Sequence, residues 1–414
     1  MSRLLLAAVI LPALLAAQTP HKLLVISIGG LDARFLNDPA LKVKAPNLRR
    51  LMKEGASATV VGVVPSDTWP SHASLVTGVS PWQNGITAEG LPERPGDAFF
   101  SVDAVKAPTL WSAAVNGRLK VATVYWPSTL GAHVDWNFPE YWETRRDNAV
   151  PLADVGAKSF PAGLTDRVAQ MFPAFDKQLW DDTSSADAAM YLLSAEQPDV
   201  LFVHMGDLDA EQRETTAVSI YARDILENDD DLVGQIVRKA PAGTIVAIVS
   251  DHGFQSSFHV VRPRVQLRQA GVKGTVEVRD GLIGTRDAGV AKELRKLAAE
   301  TRKSGIAREV PMAEVRARAP SLGKWIAAFD TPQDYVARDE ERGSAVGTGP
   351  HAGVCDFWPT HVNYRSLLIL NGTGIKPTKL GEVDMLQIAP TLAEILGVKL
   401  PLAKSTSLWR SVSH

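Results

Sequence analysis

Residues 244–254 read TIVAIVSDHGF. The first seven residues are almost wholly apolar and β-branched, as in a strand buried on both faces. The run stops abruptly at Asp251-His252-Gly253. The same pattern recurs on either side: LLVISI (23–28), KVATVYW (120–126), VLFVHM (200–205) and SLLILNG (366–372). Amphipathic segments at 45–54, 109–116, 186–196 and 216–239 lie between them. This alternation predicts an α/β fold: a mainly parallel sheet with helices on both faces. Residues 262–345 break the rhythm with Arg-, Lys- and Glu-rich text such as AKELRKLAAETRKSGIAREV (291–310). They are expected to form a small inserted α+β cap on a core of residues 19–261 and 346–414. No linker, repeat or low-complexity tract separates them.

Composition excludes several classes. The chain has 414 residues, 44 Lys plus Arg against 46 Asp plus Glu, and a net charge of −2. That is ordinary for a globular protein and offers no basic field for a nucleic-acid polymer. One cysteine, Cys355, permits no intramolecular disulfide. The N-terminus reads MSRLLLAAVILPALLAAQTP. A short positive start, an apolar run from Leu4 to Leu15 and small residues at Ala16 and Ala17 match a secretory signal over residues 1–18. No later apolar run reaches the length of a membrane span. The mature chain is expected to be exported, periplasmic or secreted, without an integral membrane segment.

In a parallel sheet the site lies at the carboxyl ends of the strands. Those ends carry Asp251-His252, Asp207 and Asp209, and Gly29-Gly30 with Asp32 close behind. Two further stretches stand out: PSDTWPSHASLVTG (65–78), with Thr68, and GTGPHAG (347–353), with His351. Carboxylate and imidazole suit a divalent metal, and a hydroxyl beside such a site can become a nucleophile. Taken alone, Asp-His-Gly reads as a turn. The ordered set is the informative observation.

The set resembles the alkaline phosphatase superfamily, in its type I phosphodiesterase/nucleotide pyrophosphatase branch. The resemblance runs from about Lys22 to Leu408 and includes PSDTWPSHASLVTGVSPWQNGI, APTLWSAAVNGRLKVATVYWP, SDHGF, GTGPHAG and VDMLQIAPTLAEILGVKLP. It implies two adjacent divalent metals, usually zinc, and makes Thr68 the residue that attacks phosphorus. The first metal would be held by Thr68, Asp251, His252 and an Asp after the first strand. The second would be held by Asp209, a His four residues later, and His351.

The sequence departs from this pattern at four positions. Gly29 stands where the first-strand Asp belongs. Arg213 stands where the His after Asp209 belongs, and a guanidinium cannot ligate a metal. Asn84 replaces a His, and Glu89 replaces an Asn that would contact phosphate. Asp207 or Glu211 could supply a missing oxygen, and Arg213 could instead grip substrate phosphate. Asp32 reads as a helix N-cap or surface acid, His204 as a core residue, and Cys355 as a buried thiol. His259 and His361 have no fixed role. Trp126, Trp136, Phe138, Tyr141 and Trp142 read as packing beneath a loop.

The expected function is an exported metal-dependent phosphoric ester hydrolase acting on a small-molecule phosphate ester through Thr68. The cap and the loops near 90–105 and 130–160 would set leaving-group selectivity. The alternative is a catalytically impaired or inactive pseudoenzyme that serves as a binding or scaffold protein.

Overall fold

The computed structural model describes residues 22–87, 100–141, 152–177 and 181–414. The expected signal, Glu89 and Trp142 lie outside the described residues.

An eight-stranded sheet organises the chain. Its strands are β1 (Leu23–Ile28), β2 (Ala56–Val61), β3 (Val121–Val124), β4 (Trp136–Phe138), β5 (Val200–Met205), β6 (Ile245–Val249), β7 (Ser366–Asn371) and β8 (Thr378–Asp384). Their spatial order is β8-β2-β7-β6-β1-β5-β3-β4. β1 runs parallel to β5 and β6, and β3 runs parallel to β4 and β5. β7 is antiparallel to both of its neighbours, so the sheet is mixed but mainly parallel.

Helices cover both faces because β1 and its neighbours are apolar on both. Leu24, Ile26 and Ile28 pack into one core with α1 (Pro46–Glu54), α3 (Asp182–Tyr191) and α5 (Ile220–Lys239). Leu23 and Val25 pack into the other core, with α2 (Thr68–Thr77) and α6 (Ile388–Leu396). Two strand residues break this apolar alternation. Ser27 on β1 and His204 on β5 are direct partners in the parallel register. They share a face beneath the strand ends, where the candidate site sits.

Most of the stretch expected as a cap has its own small core. Glu277–Arg279, Leu282–Thr285 and Ala327–Phe329 form an antiparallel sheet. Ile283, Val290, Leu294 and Phe329 are buried within this part of the chain. The two ends of the stretch lie side by side, with Val346–Thr348 antiparallel to His259–Val261. No helix among the described residues is long and apolar enough to cross a membrane.

Candidate active site

α2 begins at Thr68, with Asp67 as its N-cap residue in extended backbone. Pro70 falls in the first turn, where a missing N–H costs nothing. Gly78, in left-handed backbone at φ 69°, ends the helix. Thr68 therefore meets the site at the positive end of α2. His72, one turn later, is fully buried. Its Nδ1 lies 2.7 Å from the Thr68 carbonyl oxygen and its Nε2 lies 2.8 Å from Ser27 Oγ. A carbonyl can only accept, so Nδ1 carries the proton and Nε2 accepts from the serine. Burial lowers the His72 pKa, which keeps the ring neutral. The imidazole thus ties the Thr68 backbone to β1.

Asp251 and His252 follow β6, and both are buried. Asp251 Oδ1 accepts N–H groups from Gly30 at 2.8 Å and His252 at 2.9 Å. Asp251 Oδ2 and His252 Nε2 have no hydrogen-bond partner among the described residues, and they face each other at 3.4 Å. His252 Nδ1 lies 3.2 Å from the Gly253 carbonyl, which assigns its proton to Nδ1 and leaves the Nε2 lone pair facing the acids. Asp209, half-buried on α4 (Asp207–Glu214), brings Oδ1 to 3.4 Å from the same Nε2. Burial alone would raise the Asp251 pKa, but the attraction of the facing His252 and His72 rings in their protonated form, together with the Gly30 N–H bond, outweighs it and holds it near 2.

Asp209, Asp251 and His252 each offer a ligand atom, all within 4.8 Å of one another. Two orphaned buried atoms of metal-binding type, aimed at one point, are what a divalent cation would satisfy. The residues present fit one such ion.

Arg213 lies one turn beyond Asp209. Its Nε sits 2.6 Å from Asp209 Oδ2 and its Nη2 sits 3.5 Å from Thr68 Oγ1. The guanidinium also lies 5.8 Å from the centre of the Phe254 ring and 3.8 Å from Asp67 Oδ1. The sequence-predicted Thr68, Asp209, Arg213, Asp251 and His252 are therefore neighbours. His351 is not part of the converging group. It is exposed, at φ 60°, with its ring 5.4 Å from that of Phe258. The family resemblance pointed to the residue but could not report which way the loop turns it.

Asp32 is not a surface acid; its Oδ1 accepts from the Arg34 N–H at 2.9 Å at the start of the short Arg34–Asn37 helix, as a capping side chain does. It is buried and accepts from Arg34 Nε at 2.8 Å and from the Phe254 N–H at 3.1 Å. It pins the loop after β1 to the Asp-His-Gly-Phe loop. Gly253 makes that approach possible, since a Cβ there would fall 2.8 Å from the Arg365 nitrogen. Asn84 is a buried structural residue that accepts from the Ile86 N–H and bonds to Ser74. Trp126 and Phe138 are fully buried, Trp126 against His72 and Phe202. Cys355 is buried, with its thiol 3.2 Å from Asp67 Oδ1. Sequence reasoning assigned no role to Ser27 or His72. The visible signal was a polar residue interrupting an otherwise apolar strand.

The family model for type I phosphodiesterase/nucleotide pyrophosphatase matches residues 23–345. Bis(5′-adenosyl)-triphosphatase ENPP4 of Mus musculus is 27% identical over 246 residues, 56% of this chain and 47% of that protein. The Homo sapiens counterpart is 25% identical over 252 residues, 58% of this chain and 48% of the other. The chain spans about half the length of these curated relatives. The solved structure of murine ectonucleotide pyrophosphatase/phosphodiesterase 5 matches with a TM-score of 0.61 at 16% identity, covering 95% of this chain and 100% of that one. An inactive threonine-to-alanine form of that murine protein, in complex with AMP, matches with a TM-score of 0.60 at 15% identity. The fold is alkaline-phosphatase-like, and the chain belongs to the type I phosphodiesterase/nucleotide pyrophosphatase family.

Proposed function

We propose that the chain is an exported, metal-dependent hydrolase of phosphodiesters or nucleotide pyrophosphates in which Thr68 is the nucleophile. The observation that carries this reading is the placement of Thr68 Oγ1. It lies at a helix N-terminus and 3.5 Å from Arg213, whose partner Asp209 joins the Asp251–His252 group. The neighbour held with AMP and inactivated by a threonine-to-alanine change supports both the nucleotide class and the threonine.

The residues divide the work. Asp209, Asp251 and His252 would hold a divalent cation, with zinc fitting the mixed oxygen and nitrogen donors. When bound, such an ion supplies positive charge that lowers a hydroxyl pKa and polarises a phosphoryl oxygen. The amide groups at the start of α2 and the Arg213 guanidinium orient the anionic phosphoryl group over Thr68. Thr68 Oγ attacks phosphorus and, as the P–O bond forms and the bond to the ester oxygen breaks, its proton passes by way of solvent to that leaving oxygen. Water then releases the phosphoryl group from Thr68. His72 fixes the Thr68 backbone and takes no part in proton transfer.

Turnover of bis(p-nitrophenyl) phosphate and of a dinucleoside polyphosphate by zinc-loaded protein tests this reading. Thr68→Ala should lower kcat by about 10³-fold or more while leaving zinc binding in place. Equal rates for the two proteins would end the hydrolase reading. One observation favours the second reading, an inactive binding protein. Arg213 fills the position of a metal ligand and already engages Asp209. Nucleotide binding without Thr68-dependent turnover would establish that alternative.

A further inference from the structure

We infer that this chain takes one divalent cation where the family resemblance implies two, and that the Arg213 guanidinium permanently occupies the place of the second. The inference rests on reading Asp209, Asp251 and His252 as a metal site, but it does not require turnover.

Donor atoms carry the argument. One set is complete: Asp251 Oδ2, His252 Nε2 and Asp209 Oδ1 lie close together, and the first two have no hydrogen-bond partner among the described residues. Three protein donors with an open position is the usual composition of a catalytic zinc site. A second set cannot be assembled from the expected residues. Arg213 engages both Asp209 oxygens, with Nε 2.6 Å from Oδ2 and Nη2 3.4 Å from Oδ1, so Oδ2 is closed to a second ion and Oδ1 is shared with the first. Arg213 has no lone pair to offer and stays protonated. His351 is exposed against Phe258, outside the converging group.

Positive charge is kept at half the value of a divalent ion even though the ligand is not kept. The guanidinium brings one fixed positive charge to within 3.5 Å of Thr68 Oγ1, where a phosphoryl group would collect its negative oxygens. Its planar fork can hold two of those oxygens while Nε keeps Asp209. A mobile cation that depends on supply is thus replaced by one that is covalently attached. The same ion pair competes with metal for Asp209, so the remaining site should bind more weakly than it would without Arg213.

Zinc counting tests this directly. Chelator-stripped protein is titrated with zinc, followed by calorimetry and native mass spectrometry, with thermal melts confirming that each variant folds. Wild type should take one equivalent. Arg213→His recreates an Asp-x-x-x-His pair on α4 and frees Asp209 Oδ2, a two-donor site that should take a second, weaker equivalent. Arg213→Gln, which removes the charge without adding a ligand, should keep one equivalent and bind it about tenfold more tightly. Two equivalents or none in wild type overturns the inference. So does a single equivalent in Arg213→His, because Arg213 would then not be what excludes the second ion. One equivalent in wild type without Thr68-dependent turnover would remove the hydrolase reading and leave this one standing.

Discussion

Asp207 and Asp209 are two residues apart in the first turn of α4, yet they belong to carboxylate clusters of opposite character. Asp209 faces cationic or potentially cationic partners, Arg213 and His252. Asp207 faces other acids. Asp207 Oδ2 accepts from the Asp182 N–H at 3.1 Å, and Asp182 Oδ2 accepts from the Asp207 N–H at 3.2 Å. Each carboxylate thus satisfies an orphan N–H at the start of the other's helix. Asp229 on α5 is fully buried behind them. No N–H or hydroxyl donor among the described residues reaches its carboxyl oxygens, and it pairs with Asp182. Burial and the Asp207 charge raise the Asp182 pKa to about 7, and Asp229 rises well above the ordinary range. Asp251, equally buried, is held near 2 by its imidazole neighbours. Burial is common to both clusters and raises Asp209 as it raises Asp207, in spite of Arg213 and His252; Asp251 is the acid whose neighbours pull it the other way. One cluster retains a proton, and the other leaves a lone pair for a metal.

The sharpest way to break this contrast is to neutralise one acid in each cluster. Asp251→Asn replaces a buried oxygen donor facing His252 and should weaken zinc binding by more than about 100-fold, measured by calorimetry. Asp229→Asn should leave zinc affinity unchanged. If both variants lost zinc equally, the clusters would be one electrostatic unit and the distinction would fail.

Stability against pH separates them a second way. The folded-state pKa of Asp182, about 7, lies above the unfolded value near 3.8. The folded protein therefore binds more protons between those values, and stability should fall as pH rises from about 4 through 7. Asp229, raised further, extends that loss upward. Asp229→Asn supplies an N–H donor to Asp182 without needing a proton. Its melting temperature should match wild type near about pH 5 and exceed it near about pH 9. Parallel curves for the two proteins would contradict a shared proton.

Much of this arrangement was legible in the sequence, and physical reasons explain the rest. β1 and β5 were readable to the residue because strands buried on both faces are continuous apolar runs. β2 was missed because ASATVV is small and partly polar, and β8 because it is an exposed edge strand with a register shift between Lys379 and Glu382. Asp251 and His252 were found because they directly follow a strand of a parallel sheet, and Asp209 because the family resemblance singles it out among the acids after β5. Ser27 and His72 meet across 45 positions of sequence, which no local spacing reveals. The serine that interrupts LLVISI marked that contact, since a buried polar group in a strand requires a partner. The histidine that interrupts VLFVHM, His204, is the register partner of Ser27 and lies with its ring 4.4 Å from that of His72. The exposure of His351 and the burial of Asp32 are set by loop direction, which periodicity does not encode.

The smallest expected effect tests whether the metal-facing cluster can be made more like the acidic one. A Cβ on Gly29 would lie 3.3 Å from Asp209 Cβ and 3.2 Å from His204 Cε1, so a side chain there enters the gap beside Asp209. Its neighbours would have to yield slightly. Gly29→Asp adds a third carboxylate next to Asp209 and Asp251, without a helix N–H to satisfy it. In metal-free protein the added repulsion should lower the melting temperature by a few degrees. Zinc should reverse that loss and bind about tenfold more tightly, because an added charged oxygen donor favours the ion. The pH dependence assigned to Asp182 and Asp229 should not move. A variant as stable as wild type without zinc, and no tighter with it, would mean that Gly29 does not border the site. Lower stability that zinc cannot rescue would mean that the position is sterically closed, and that the glycine is there for packing and not for lack of a ligand.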